Sequence, residues 1–232
     1  MKKLGIVQPG RLGDLIICLP IAKYYYDKGY RVVWPVFHKF AAMFSDAVPY
    51  VEFKSTTDDV YNCVPQAYKM LYKCDEILDL ASTFPGSKVT EQYVREGDGY
   101  GPQKFDEFKY KIAKVPFELK WNLQYERDLN EESKLHDLYV KQEKYDVYSI
   151  KHSKGELNVK FESKNQLIEI NDNHSLFHWR KILENAQTIA LVDSAMANFV
   201  EQINTNNKKI LLMKPGQPGP TFKNNWKTIP AQ

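Results

Sequence analysis

The stretch Lys3–Pro20, KLGIVQPGRLGDLIICLP, decides the fold. Lys3 to Gln8 is a short apolar run stopped by Pro9 and Gly10, as expected of a buried strand closed by a turn. Past the turn, Leu15, Ile16, Leu19, Ala22 and Tyr26 recur at three- and four-residue spacing. That spacing predicts a helix over Leu15–Lys28, which Asp14 caps or begins and Gly29 ends. Arg31–Val36 (RVVWPV) has the β-branched and aromatic content of a second strand, and Lys39–Ser45 reads as a short helix. The chain therefore opens on a β-α-β unit.

Working outward, Val51–Phe53 and Glu76–Leu80 read as further strands, with a helix over Val64–Tyr72 between them. Thr83–Gly101 turns polar and carries Pro85, Gly86, Gly97, Gly99 and Gly101, so it reads as a loop. Helices follow over Phe105–Lys114 and Asn130–Gln142. The alternation then restarts, with strands Tyr145–Ile150, Leu167–Ile170, Thr188–Val192 and Lys209–Met213 and helices Ser175–Asn185 and Ala195–Ile203. The proline-bearing tail from Pro215 has no long helix and is expected to be ordered only by packing on the rest. Alternation of this kind predicts an α/β protein of two Rossmann-like domains, 1–125 and 126–232, whose parallel sheets face one another across a cleft.

Length and composition agree with that reading. The 232 residues are 43 % hydrophobic and 26 % charged, which excludes long disordered, collagen-like and disulfide-framework chains. With 32 Lys and Arg against 29 Asp and Glu, the net charge of +3 does not by itself point to nucleic acid. Cys18, Cys63 and Cys74 show neither Cys-x-x-Cys nor zinc-ligand spacing, so the expected compartment is a reducing cytoplasm. Neither a targeting segment nor an integral membrane segment is expected, because no apolar run reaches the length that spans a bilayer.

Two segments carry candidate chemistry. Gly10, Arg11, Gly13 and Asp14 lie between the first strand and the first helix, where glycines permit close backbone approach and a helix N-terminus favours an anion. The spacing is neither the dinucleotide fingerprint nor the phosphate-loop motif. Asp14 also has a structural explanation, since an acidic residue in a first turn stabilises its helix by about 0.3–1 kcal/mol. The second segment mirrors the first: Asp193, Ser194, Ala195, Met196 and Asn198 follow a strand and enter a helix, with Asp193 expected at the N-cap. His174 and His178 lack the glutamate of a zinc-protease motif, and no metal site is expected of them. Asp58-Asp59 and Glu131-Glu132 read as solvated or helix-start charges, and Arg95 to Asp98 as a flexible loop.

The stretch GRLGDLIICLPIA resembles the start of the heptosyltransferase-like glycosyltransferases of the GT-B fold, with Gly13, Asp14, Leu19 and Pro20 on that family's I-G-D-x-x-x-x-L-P pattern. Tyr30–Val36 resembles the family's second strand and Asp75–Leu80 (DEILDL) its deep strand. In the second half, Asp193 and Ser194 fall on its D-[TS]-G-x-x-H pattern, and Lys209–Pro215 on the strand that follows. Ala195 stands for the family's glycine and Asn198 for its histidine, so the chain is similar to a short, divergent member.

The resemblance implies an inverting transfer from a nucleotide-diphosphate sugar, with no metal and no cofactor. By position it makes Asp14 the base, places Gly10, Arg11 and Gly13 on the acceptor side, and puts Asp193 to Met196 and Asn198 against the donor diphosphate. The accompanying cation is sought among Lys151, His152, Ser153 and Lys154, in the polar turn after the first strand of the second half. The acceptor is an unknown glycan, a lipid-linked sugar or nucleic acid. Modified DNA bases enter as acceptors because Lys-, Tyr- and Asn-rich chains with few glycines look like products of AT-rich genomes, viral ones included. The competing class is a degenerate protein that binds a nucleotide, a glycan or a partner without catalysis, which Ala195 and Asn198 motivate.

Overall fold

Leu4, Gly5, Ile6 and Val7 are buried within strand β1 (Lys3–Val7), the environment of an unbroken apolar run at the centre of a parallel sheet. The computed structural model describes residues 1–97, 103–152, 155–157, 159, 161–203, 205–213 and 219–230. The chain divides into two units, Met1–Glu126 and Arg127–Gln232.

In the first unit β1 leads into α1 (Leu12–Asp27), β2 (Arg31–Phe37), α2 (His38–Ala47), β3 (Val51–Thr56) and α3 (Cys63–Met70). After these come β4 (Glu76–Asp79), α4 (Thr90–Glu96), α5 (Phe105–Ile112) and a 3-10 turn at Phe117–Trp121. The strands pair in parallel in the order β3-β2-β1-β4. The chain thus travels from β1 outward to β3 and then crosses to the other side of β1. Its switch point lies at the carboxyl ends of β1 and β4, where open α/β sheets bind ligands. Residues 15–22 of α1 are buried all round, which makes it an interior helix, and Tyr26 on the expected apolar face is exposed.

The second unit holds α6 (Leu129–Tyr139), β5 (Tyr145–Ser149), a small antiparallel hairpin of β6 (Lys151–His152) and β7 (Gly155–Glu156), and β8 (Gln166–Glu169). It continues through α7 (Arg180–Asn185), β9 (Thr188–Val192), α8 (Ala195–Ile203), β10 (Lys208–Met213) and β11 (Trp226–Pro230). Its five strands are parallel in the order β11-β10-β9-β5-β8, so this sheet changes direction between β5 and β9. The molecule is a mixed α/β protein with two Rossmann-like parallel sheets, as the alternation predicts.

Three expectations need correction. Helix α1 begins at Leu12, three residues before the apolar periodicity does. The expected loop at Thr83–Gly101 contains α4, because TEQYVRE is made of adequate helix formers and only its flanks carry glycine. The tail contains β11, which adds to β10 because Glu201 of α8 gathers it in: its carboxylate accepts from Trp226 Nε1 (2.7 Å) and the Lys223 N–H (2.8 Å). Glu131 and Glu132 lie in the first turn of α6, the helix-start placement expected of them, and Glu132 is buried with Arg127 Nε donating to it at 2.8 Å. Asp98, at the end of the expected Arg95–Asp98 loop, lies outside the described residues, as does Pro215.

Candidate active site

At the first switch point β1 runs into the turn Gln8-Pro9-Gly10-Arg11, which side chains and backbone hold in place. Gln8 Nε2 donates to the Gly10 carbonyl (2.8 Å), Trp34 Nε1 to the Gln8 carbonyl (3.0 Å) and the Phe37 N–H to the Pro9 carbonyl (2.6 Å). Glycine is required at position 10 by close approach, since a Cβ there would lie 2.3 Å from the Phe37 ring. Phe37 is itself buried and packs on Phe40 and Phe84, leaving it no room to retreat. Gly10→Ala should therefore destabilise the protein by about 1–3 kcal/mol through overpacking, read as a lower denaturant midpoint.

Arg11 occupies the N-cap position of α1 with φ of 53°, a left-handed conformation that costs a non-glycine residue about 1–2 kcal/mol. Its guanidinium lies 5.3 Å from the Phe84 ring centre, and Nη1 donates to Thr83 Oγ1 at 3.3 Å. Because the helix starts at Leu12, Gly13 and Asp14 fall within its first turn and Asp14 is not the cap. The Asp14 side chain is only 11 % exposed, and its Oδ1 lies 3.4 Å from Lys109 Nζ.

Lys109 comes from α5 and escaped the sequence reading. Its Nζ also donates to Gln8 Oε1 and to the Leu80 carbonyl, each at 2.6 Å. Leu80 begins the turn after β4, and Asp79 shapes that turn. The Asp79 carboxylate accepts from Tyr68 Oη (2.6 Å), the Ala81 N–H (3.0 Å), Ser87 Oγ (3.0 Å) and the Lys88 N–H (2.7 Å). On the same face of α5, the buried Asp106 takes Lys120 Nζ at 2.5 Å. The one sequence signal for this arrangement is that Asp106, Lys109, Tyr110 and Ala113 share helical spacing, so a stripe that is buried carries two charges.

One turn beyond Asp14 sits Cys18, fully buried, its thiol pushed up to about 12 chiefly by desolvation. The nearby Asp14 and Asp106 charges push in the same direction and Lys109 opposes them. A thiol raised from 9.0 favours the folded state up to pH 9, and that contribution fades as pH rises toward 12. Iodoacetamide at pH 8 should leave Cys18 unmodified in the native protein and label it after unfolding, which mass spectrometry of the peptides would register.

In the second unit, Lys151 and the Asp193-Ser194 turn leave neighbouring strands, since Ser149 of β5 pairs with Leu191 of β9. Both therefore emerge at that sheet's switch point. The cap of α8 falls one residue later than expected: Ser194, not Asp193, holds it, with Oγ accepting the Ala197 N–H at 3.4 Å. Asp193 instead lies beside Gly219, where a Cβ would come within 3.2 Å of its Oδ2. Ala195 is half-buried, and Met196 and Asn198 are buried. Asn198 Nδ2 donates to the Ser194 carbonyl at 2.9 Å, while its buried Oδ1 has no hydrogen-bond partner among the described residues. Lys151 is exposed and lies 3.7 Å from Glu156 across the hairpin, a pair of small energetic weight. Ser153 and Lys154 lie outside the described residues. Among the described residues, no group of three or more His, Cys, Asp or Glu is placed to hold a metal ion.

No family model matches the sequence, and no curated protein matches it. Solved structures do. A glycosyl transferase family 9 protein from Veillonella parvula matches with a TM-score of 0.65 at 10 % identity, over 99 % of this chain and 87 % of that one. E. coli ADP-heptose LPS heptosyltransferase II gives 0.57 at 10 % identity, over 99 % and 90 %. E. coli heptosyltransferase WaaC, solved with ADP-2-deoxy-2-fluoro heptose, gives 0.53 at 14 % identity, over 99 % and 93 %. The chain has the heptosyltransferase fold. Both of its parallel sheets contribute to the likeness, since each match extends over nearly the whole sequence. No helix among the described residues is long and apolar enough to cross a membrane.

Proposed function

We propose that the protein is a glycosyltransferase that moves a sugar from a nucleoside-diphosphate sugar to an acceptor hydroxyl, with inversion and without a metal ion or other cofactor. The observation that carries this reading is Asp14: a largely buried carboxylate at the switch point of a parallel sheet, engaged by an ammonium at one oxygen. In the proposed step the acceptor oxygen forms a bond to the anomeric carbon as its proton passes to Asp14. The bond from that carbon to the diphosphate oxygen breaks, and the nucleoside diphosphate leaves with the electron pair. A carboxylate within hydrogen-bond reach of the hydroxyl is what such a step needs.

The second unit is assigned to the donor. The N–H groups at the start of α8, near Ser194, Ala195 and Met196, would meet the departing diphosphate, with Lys151 emerging from the adjacent strand. The free lone pairs of Asn198 Oδ1 suit a donor hydroxyl. Gly10, Arg11 and Gly13 belong to the acceptor side, for which a glycan, a lipid-linked sugar or nucleic acid is proposed. The unpaired thiols Cys18, Cys63 and Cys74 suit a reducing cytoplasm.

Isothermal titration against nucleoside diphosphates and their sugars, followed by NMR of the released sugar's anomeric configuration, tests the reading. One nucleotide should bind, and its sugar should be released or transferred with inversion. Retained configuration would refute the mechanism. Binding without turnover of any donor would establish the non-catalytic alternative that Ala195 and Asn198 motivate.

A further inference from the structure

We propose that Lys109 is the positioning residue for Asp14, a captive counter-ion that decides which carboxylate oxygen meets the acceptor; this rests on the base role proposed above for Asp14. Lys109 is 1 % exposed, and a buried ammonium is tolerated only when its charge and protons are engaged. An ammonium has three protons, and Nζ faces three acceptors: Gln8 Oε1, the Leu80 carbonyl and Asp14 Oδ1. These come from the turn after β1, the turn after β4 and the first turn of α1, the segments that converge at the switch point.

Two of its three protons go to neutral oxygens and its charge faces Asp14, so Lys109 is committed within the site and not to a substrate phosphate. Two contacts of 2.6 Å to neutral oxygens anchor the ammonium, and the 3.4 Å contact to Asp14 is the loose one. Among the described residues, Lys109 is the one charged side chain at ion-pair distance from Asp14. Oδ1 is drawn toward the ammonium, which leaves Oδ2 with its lone pairs for the incoming hydroxyl. Fixing the carboxylate in advance removes a rotational degree of freedom from the transition state, which is where positioning acts on rate. Lys109 touches no reacting atom.

A double-mutant cycle tests this. Lys109→Met preserves length and burial and removes the charge. It should lower kcat about 30- to 100-fold while the donor KM changes less than about twofold, because the lost contact acts only in the transition state. Added to Asp14→Asn, the same change should lower kcat by less than about threefold, since the two residues act as one unit. Should Lys109→Met not fold, Lys109→Gln takes its place in the cycle, its amide still able to donate to Gln8 Oε1 or the Leu80 carbonyl. Additive losses of kcat, or a raised donor KM with kcat preserved, would overturn the proposal and reduce Lys109 to a pin in the core. A wild type that turns over no donor would remove the base role and this inference together. That outcome is distinguishable, because thermal unfolding of the same four proteins would still report coupling between the two side chains.

Discussion

Asp14→Asn is expected to lower the rate of sugar transfer by about 100- to 10,000-fold, the range over which a positioned general base contributes. The substitution is nearly isosteric and keeps an oxygen for Lys109 Nζ, which lies 3.4 Å from Oδ1 in the native protein. What it removes is the ability to take the acceptor's proton. Because the donor is assigned to the second unit, titration with the nucleoside diphosphate should give the same affinity for the Asn variant as for wild type. An Asn variant that transfers sugar as fast as wild type would show that Asp14 is not the base.

The largest effect on stability is expected at Lys120→Met. Lys120 and Asp106 are 0 % exposed at their side chains and meet at 2.5 Å, with the Phe117 and Trp121 rings packed against the ammonium. Taking away the ammonium removes the neutralising charge from a carboxylate in the core, which costs about 3–5 kcal/mol. That is a large share of the roughly 5–15 kcal/mol by which folded domains exceed their unfolded chains. The denaturant midpoint should fall accordingly. Replacing both residues, Asp106→Leu with Lys120→Met, should recover much of the loss, because neither charge is then buried. Equal losses for the single and double variants would mean that packing volume, and not charge, sets the effect.

Strand positions and their alternation with helices were legible because apolar runs such as Lys3–Val7 and Thr188–Val192 report two-sided burial directly. The start of α1 was not, because periodicity registers a helix only where it meets the core, and Leu12 and Gly13 precede that contact. Strand β11 was hidden by the prolines of the tail and by dependence on Glu201, a partner distant in sequence. The candidate base stood in a motif; its companion did not. Lys109 lies far along the chain from Asp14, within FDEFKYKI, which reads from its spacing as a helix and nothing more. The helical spacing marks a stripe that carries charge, and only the fold turns it inward and says which residue it meets.

The turn from Leu80 to Lys88 hangs on one carboxylate, Asp79. It supplies the carbonyl that anchors Lys109 and the Thr83 hydroxyl that receives Arg11. A segment with a single keystone has a lopsided tolerance for change: its exposed members Thr83, Pro85 and Lys88 are open to diversification, while position 79 is not. Anyone seeking to rebuild the surface of this turn would vary those three side chains and leave the keystone untouched.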